Sequence, residues 1–146
     1  MDKAQVRAIE WDCAQLVQRF YCLLDAKRYD DLVALFSKDG VWVRMRKPLT
    51  RSEILATQSE RESWVTAHVV TNLQVRVIDE DRAETEQYIT LYREENWSGP
   101  AGSPPVSPPR AILHHHDRLV REDGAWKIAH KRSEPIFMGE RKAAER

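Results

Sequence analysis

The stretch D-A-K-R-Y-D-D-L-V-A-L-F-S-K-D, residues 25–39, decides how this chain is read. Upstream of it, Val6, Ile9, Cys13, Leu16, Val17, Phe20 and Leu24 recur at spacings of three and four. That recurrence is one apolar stripe on a helix over residues 2–28. The polar joint Ala26-Lys27-Arg28 interrupts it, and Leu32, Val33, Leu35 and Phe36 form the apolar side of a second, short helix over 29–37. Asp39-Gly40 is a turn signal, and the β-branched and aromatic run Val41-Trp42-Val43 opens a strand. A long amphipathic helix, a joint, a short helix and then a strand is therefore the entry to the fold.

Working outward, Thr50 with Glu53 three residues later is a capping box, which starts a third helix running to about residue 62. Residues 65–78 and 83–97 are strand-like, joined by a tight connection at 79–81. Residues 98–109 hold five prolines and two glycines and exclude regular structure. Two more strands, 111–122 and 125–137, follow, and residues 139–146 read as a charged, frayed tail. Helices gathered early and long antiparallel strands gathered late make an α+β class. The expectation is one domain over 1–138, with three helices covering the concave face of a cone-shaped, curved, mostly antiparallel sheet.

Charge excludes several function classes. Lys plus Arg is 23 and Asp plus Glu is 23, and the signs are well mixed. Nucleic-acid binding needs a basic face to displace counterions, and a membrane-surface helix needs segregated charge. Neither is expected, and no apolar run approaches the ~20 residues of a membrane span. The first ten residues are too charged for a signal peptide. Cys13 and Cys22 fall on opposite faces of one helix and cannot pair there, so a reducing, cytoplasmic setting is expected.

Strand alternation sorts the candidate chemistry. In 65–78, Val65, Ala67, Val69, Leu73, Val75 and Val77 share one face, and His68, Val70, Asn72, Gln74 and Arg76 the other. The first set, if outward, is an apolar row that needs covering, which predicts a homodimer or homotrimer. In 111–121, Leu113, His115, Asp117 and Leu119 share a face. A His and an Asp flanked by apolar residues must be paired or neutral if buried, and either state can serve as acid, base or oxyanion donor; a His–Asp pair satisfied within the sheet is the alternative. In the run 114–116 only His114 and His116 face alike, too few ligands for a closed zinc site. Trp42, Trp64, Tyr88 and Tyr92 are candidate walls for a flat ligand, or core, with Tyr21, Arg44 and Arg93 as further pocket candidates.

The segment L-L-D-A-K-R-Y-D-D-L, residues 23–32, and T-A-H-V-V-T-N, residues 66–72, resemble the nuclear transport factor 2-like, or SnoaL-like, superfamily. They are similar to scytalone dehydratase-like proteins, and the resemblance implies that His68 is a catalytic histidine positioned by Asp25. That branch's second catalytic histidine falls near Arg93 and a catalytic tyrosine near Met45. Compared with ketosteroid isomerases, Asp117 stands where a protonated aspartate donates to an oxyanion. Phe20 stands for the oxyanion tyrosine there, and Arg44 for the base aspartate. L-L-D-A-K-R-Y-D-D-L at 23–32, H-V-V-T-N-L-Q-V at 68–75 and R-L-V-R-E-D-G-A-W-K-I-A-H-K-R at 118–132 also look like the small (β) subunit of ring-hydroxylating dioxygenases.

Two functions follow as expectations. One is a cofactor-independent acid–base lyase or isomerase acting on a cyclic or aromatic metabolite, with His68 and Asp25 at its centre and Asp117 with His115 as a second polar group. The other is a non-catalytic binding or assembly subunit serving a larger oxygenase subunit. No phosphate loop or metal motif suggests a cofactor.

Overall fold

The computed structural model describes residues 1–100 and 103–139, so most of the expected tail and two residues of the proline-rich loop lie outside the described residues. Helix α1 spans Lys3–Asp25 and opens on a capping box between Asp2 and Gln5. Its stripe is buried through Ile9, Cys13, Leu16, Val17, Phe20 and Leu24. Each large apolar side chain removed from water there contributes about 1.5–3 kcal/mol. The helix ends where Lys27 adopts a left-handed φ of 57°. The Arg28 N–H then reaches back to the Leu23 carbonyl at 2.9 Å, which closes the last turn. This termination leaves Asp25 as the final helical residue, aimed at the sheet.

Helix α2 is shorter than expected, Tyr29–Val33, and strand β1 begins at Phe36 and runs to Arg44. Asp39-Gly40 is not a turn between elements. It lies inside β1, where the pairing register slips between Phe36 and Val41. A Cβ on Gly40 would sit 2.6 Å from the Ile128 carbonyl oxygen, so only glycine allows this close approach. Strand β2, Lys47–Leu49, leads to α3, Arg51–Ala56, which starts on the expected Thr50–Glu53 capping box. The third helix stops early and continues as a 3₁₀ turn over Gln58–Arg61.

Strands β3 (Val65–Val77), β4 (Arg82–Glu94), β5 (Ala111–Glu122) and β6 (Ala125–Met138) complete a six-stranded, curved, unclosed sheet in the order β2-β1-β6-β5-β4-β3. Every pairing is antiparallel except β1 with β6. The fold is the expected α+β arrangement of three helices and a mostly antiparallel sheet. No helix among the described residues is long and apolar enough to cross a membrane.

Two irregularities decide which side chains face the helices. In β3 the register shifts between Thr71 and Gln74, with Asn72 at φ 52°. Thr66, His68 and Val70 point inward before the bulge, and Leu73, Val75 and Val77 after it. The expected outward apolar row is therefore broken, because its last three members pack against the core. In β6 a second shift, between the pairs Arg118↔His130 and Leu119↔Ile128, turns Lys131 inward. Strict alternation from Trp126 and Ile128 would have put it outside.

Candidate functional site

Asp25, delivered by the end of α1, meets the first half of β3. Its Oδ1 accepts from the Thr66 hydroxyl at 2.8 Å and lies 2.5 Å from His68 Nδ1, while Oδ2 accepts from the His68 backbone N–H at 2.9 Å. Burial pushes the Asp25 carboxyl up, but the hydrogen bonds from His68 and Thr66 outweigh it and hold the group below its ordinary value. An ionised carboxylate only accepts, so Nδ1 of His68 carries the proton. The other nitrogen, Nε2, has no partner among the described residues, and His68 lines the main cavity. In its neutral form His68 thus offers the cavity a lone pair.

A second, deeper network lies next to this pair. Tyr21 stacks on His68 with ring centroids 5.8 Å apart. Its hydroxyl lies 2.6 Å from His115 Nδ1 and 3.2 Å from both Gln87 Nε2 and Lys131 Nζ. Lys131 also donates to both Asp117 oxygens, at 3.0 and 2.7 Å, and both side chains are fully buried. Gln87 Nε2 donates to Asp117 at 3.1 Å, which fixes the orientation of the amide.

Proton counting then assigns His115. The Tyr21 oxygen accepts from the lysine and from the glutamine, so its own proton goes to His115 Nδ1. A neutral His115 must carry its remaining proton on Nε2. Burial, and next the charge of Lys131, hold His115 well below the ordinary imidazole value, so it is neutral. Its Nε2 is buried without a partner, and His115 is part of the cavity wall. With His68 in its neutral form, the two histidines face the cavity with opposite roles, an acceptor on His68 and a donor on His115.

The cavity itself is about 580 Å³, large enough for a small organic molecule. Leu24, Leu91 and Leu113 supply apolar wall, and the indoles of Trp42 and Trp64 supply flat surface. Trp42 is fixed from behind by an edge contact with Phe20 and by its Nε1 donating to Ser133 Oγ at 3.0 Å.

Of the residues singled out from sequence, His68, His115, Trp42, Arg44, Trp64 and Arg93 line this cavity, and Asp25 sits directly behind His68. Tyr21 is one layer deeper, as a hydrogen-bond hub and not as a wall. Asp117 is also behind the wall, paired with Lys131, so it is not the ligand-facing carboxyl that the isomerase comparison implied. Tyr88 and Tyr92 are corrections. They share the outer face of β4, where Tyr88 is exposed and packs its edge on His114, because Ala83, Thr85, Gln87, Ile89, Leu91 and Arg93 alternate inward. His114 and His116 lie on that outer face beside Glu86 and Glu84.

Sequence reasoning missed Lys131, Gln87, Thr66, Arg61 and Arg110. Gln87 and Arg93 share a phase in β4, so alternation in that strand could have found Gln87. Lys131 had no such signal, since the bulge that turns it inward leaves no mark in the alternation.

Comparison with known proteins places the fold. Among curated proteins, none matches the chain. A protein provisionally named scytalone dehydratase from Novosphingobium aromaticivorans superposes with a TM-score of 0.78 at 16% identity, covering 98% of this chain and 94% of that one. LinA superposes with a TM-score of 0.76 at 14% identity, covering 99% and 97%. A single-residue variant of Rv3472 from Mycobacterium tuberculosis, a protein described as of unknown function, gives 0.72 at 18% identity, covering 88% and 76%. At such identities the likeness shows the fold. A family model, the SnoaL-like domain, matches residues 5–132, nearly the whole of the helices and sheet that build the site. The chain is a member of the SnoaL-like domain family.

Proposed function

We propose that this protein is a cofactor-independent acid–base lyase or isomerase acting on a cyclic or aromatic small molecule. The observation that carries the reading is the pair of histidines facing one cavity with fixed and opposite hydrogen-bonding roles. His68 Nε2 takes a proton from carbon, and Asp25 stabilises the imidazolium that forms. The electrons of the broken C–H bond enter a new double bond. In an elimination the bond to a leaving oxygen on the adjacent carbon breaks as they do. That oxygen accepts the Nε2 proton of His115, whose Nδ1 takes the Tyr21 proton while Tyr21 takes one from Lys131. In an isomerisation His115 only donates a hydrogen bond to the developing oxyanion, and His68 returns its proton to a second carbon.

Names among the structural neighbours agree with this class: one is a scytalone dehydratase by name, and one is named a hexachlorocyclohexane dehydrochlorinase. The rival reading, an assembly subunit, would be favoured by a cavity plugged with Trp and Tyr side chains. Here the indoles form the walls of a roomy cavity and Tyr88 and Tyr92 point away from it.

The test is a screen of cyclic and aromatic alcohols and enones, followed by comparison of wild type with His68→Asn on whichever substrate turns over. General acid–base help is worth about 10²- to 10⁴-fold, so His68→Asn should lower kcat by that factor while binding is retained. Asp25→Asn should lose less, because the tautomer is weakened but a partner remains. Equal kcat for wild type and His68→Asn would refute the assignment.

A further inference from the structure

We infer that the ligand of this cavity carries an anionic oxygen group, a carboxylate on a flat apolar body, held by Arg44 and Arg61 at the tryptophan end. The inference extends the proposed function by naming its substrate class, and it rests on a separate set of residues. Four arginines and no acidic side chain are among the described residues that line the cavity. Arg93 pairs with Glu95 at 2.8 Å. Arg44, Arg61 and Arg110 are in no ion pair among the described residues.

The guanidinium groups of three of these arginines lie over the indoles of the wall. Arg44 lies 5.0 Å from the Trp42 ring centroid, Arg61 lies 5.9 Å from Trp42 and 5.5 Å from Trp64, and Arg93 lies 4.3 Å from Trp64. Stacking on indole leaves the N–H edge of a guanidinium free to meet an oxyanion in the plane of the ring. Arg61 is 7% exposed, and its Nε has no hydrogen-bond partner. Arg93 Nε is likewise buried and unpartnered. A buried donor left unmade is costly, and like charges held together in a partly desolvated wall repel. Burial, and then the charge of Arg61, bring Arg44 down to about 10, which shows how poorly this wall solvates positive charge. A carboxylate whose charge acts on both Arg44 and Arg61 is that of Glu60, which is exposed. A bound carboxylate answers all of these demands together: it neutralises charge, accepts from the orphan donors, and lets its ring lie against the indoles. The reacting carbon of such a ligand then sits toward His68 and His115, which line the same cavity.

The test is isothermal titration of the whole protein with 2-naphthoate and with its neutral isostere 2-naphthamide. The acid should bind at least about tenfold more tightly, the scale of one charge-assisted hydrogen-bond pair. Its affinity should fall with added NaCl while that of the amide does not. Arg44→Gln and Arg61→Gln should each erase most of the acid preference, and His68→Asn should leave it intact. The salt series needs no variant, so it decides the question even if Arg61→Gln fails to fold. Equal binding of acid and amide, or a preference that survives both arginine variants, overturns the anion assignment and leaves the histidine chemistry standing. Binding of neither probe overturns the anion assignment and the ligand cavity together.

Discussion

Replacing Lys131 with Met should destabilise the protein by about 3–5 kcal/mol, the usual result of stranding a buried charge. The structure sets up the arithmetic. Lys131 and Asp117 are both fully buried, with Nζ–O distances of 3.0 and 2.7 Å. At an effective dielectric of ~20, that separation gives an attraction of about 6 kcal/mol. Desolvating the two ions costs several kcal/mol each, so the pair as a whole contributes little net stability. Removing only the lysine keeps the cost of burying Asp117 and deletes what offset it, leaving Gln87 as its close donor. Methionine fills nearly the same volume, so a cavity contributes little. Against a total stability of roughly 5–15 kcal/mol the loss is large. With a urea m-value of about 2 kcal/mol/M, it moves the unfolding midpoint down by about 2 M, readable by circular dichroism. The double variant Lys131→Met/Asp117→Leu should recover all but about 1 kcal/mol, since no charge is then stranded. A single variant that loses under 1 kcal/mol, or a double variant as unstable as the single, would refute the description of this pair.

Two further outcomes follow from local geometry. Asn72 holds a left-handed φ of 52° at the bulge of β3, so Asn72→Gly should change stability by less than about 1 kcal/mol, whereas Asn72→Val should cost about 1–2 kcal/mol in urea melts. His115 is held neutral well below its unfolded value, so its contribution is complete above the unfolded pKa of ~6.5 and is lost as pH falls below it. His130 is also held low by burial and contributes with the same sign. Stability measured from pH 8 down to 5 should therefore fall in wild type more steeply than in His115→Gln, by up to about 1.4 kcal/mol per pH unit. Equal slopes would show that His115 is not held neutral.

How much of this was legible in the sequence follows strand geometry. The α1 stripe and the Thr50 cap were readable because helix periodicity and capping are local signals. His115 and Asp117 share a face with Leu113 and Leu119, as alternation grouped them, because β5 keeps its alternation from Leu113 through Leu119; which face turns inward was not legible. The outer face of β3 was misread because one residue, Asn72, absorbs a bulge that inverts every position after it. The homodimer or homotrimer expected from that face loses half of its apolar basis, with only Val65, Ala67 and Val69 left outside. Lys131 was invisible for the same reason in β6. Tyr88 and Tyr92 were misplaced by aromatic character alone, which says nothing about which side of a strand faces the ligand.

The opposed roles of the two histidines are the centre of this account, and the nitrogen-15 shifts of their imidazole rings report them directly. In a long-range proton–nitrogen correlation spectrum recorded at mildly alkaline pH, neutral His68 should show a protonated Nδ1 and a bare Nε2. His115 should show the reverse, a bare Nδ1 and a protonated Nε2, and Tyr21→Phe should disturb the His115 pattern while leaving that of His68 in place. The same tautomer on both rings, or a His115 that is doubly protonated at that pH, would contradict the proposed acid–base pair.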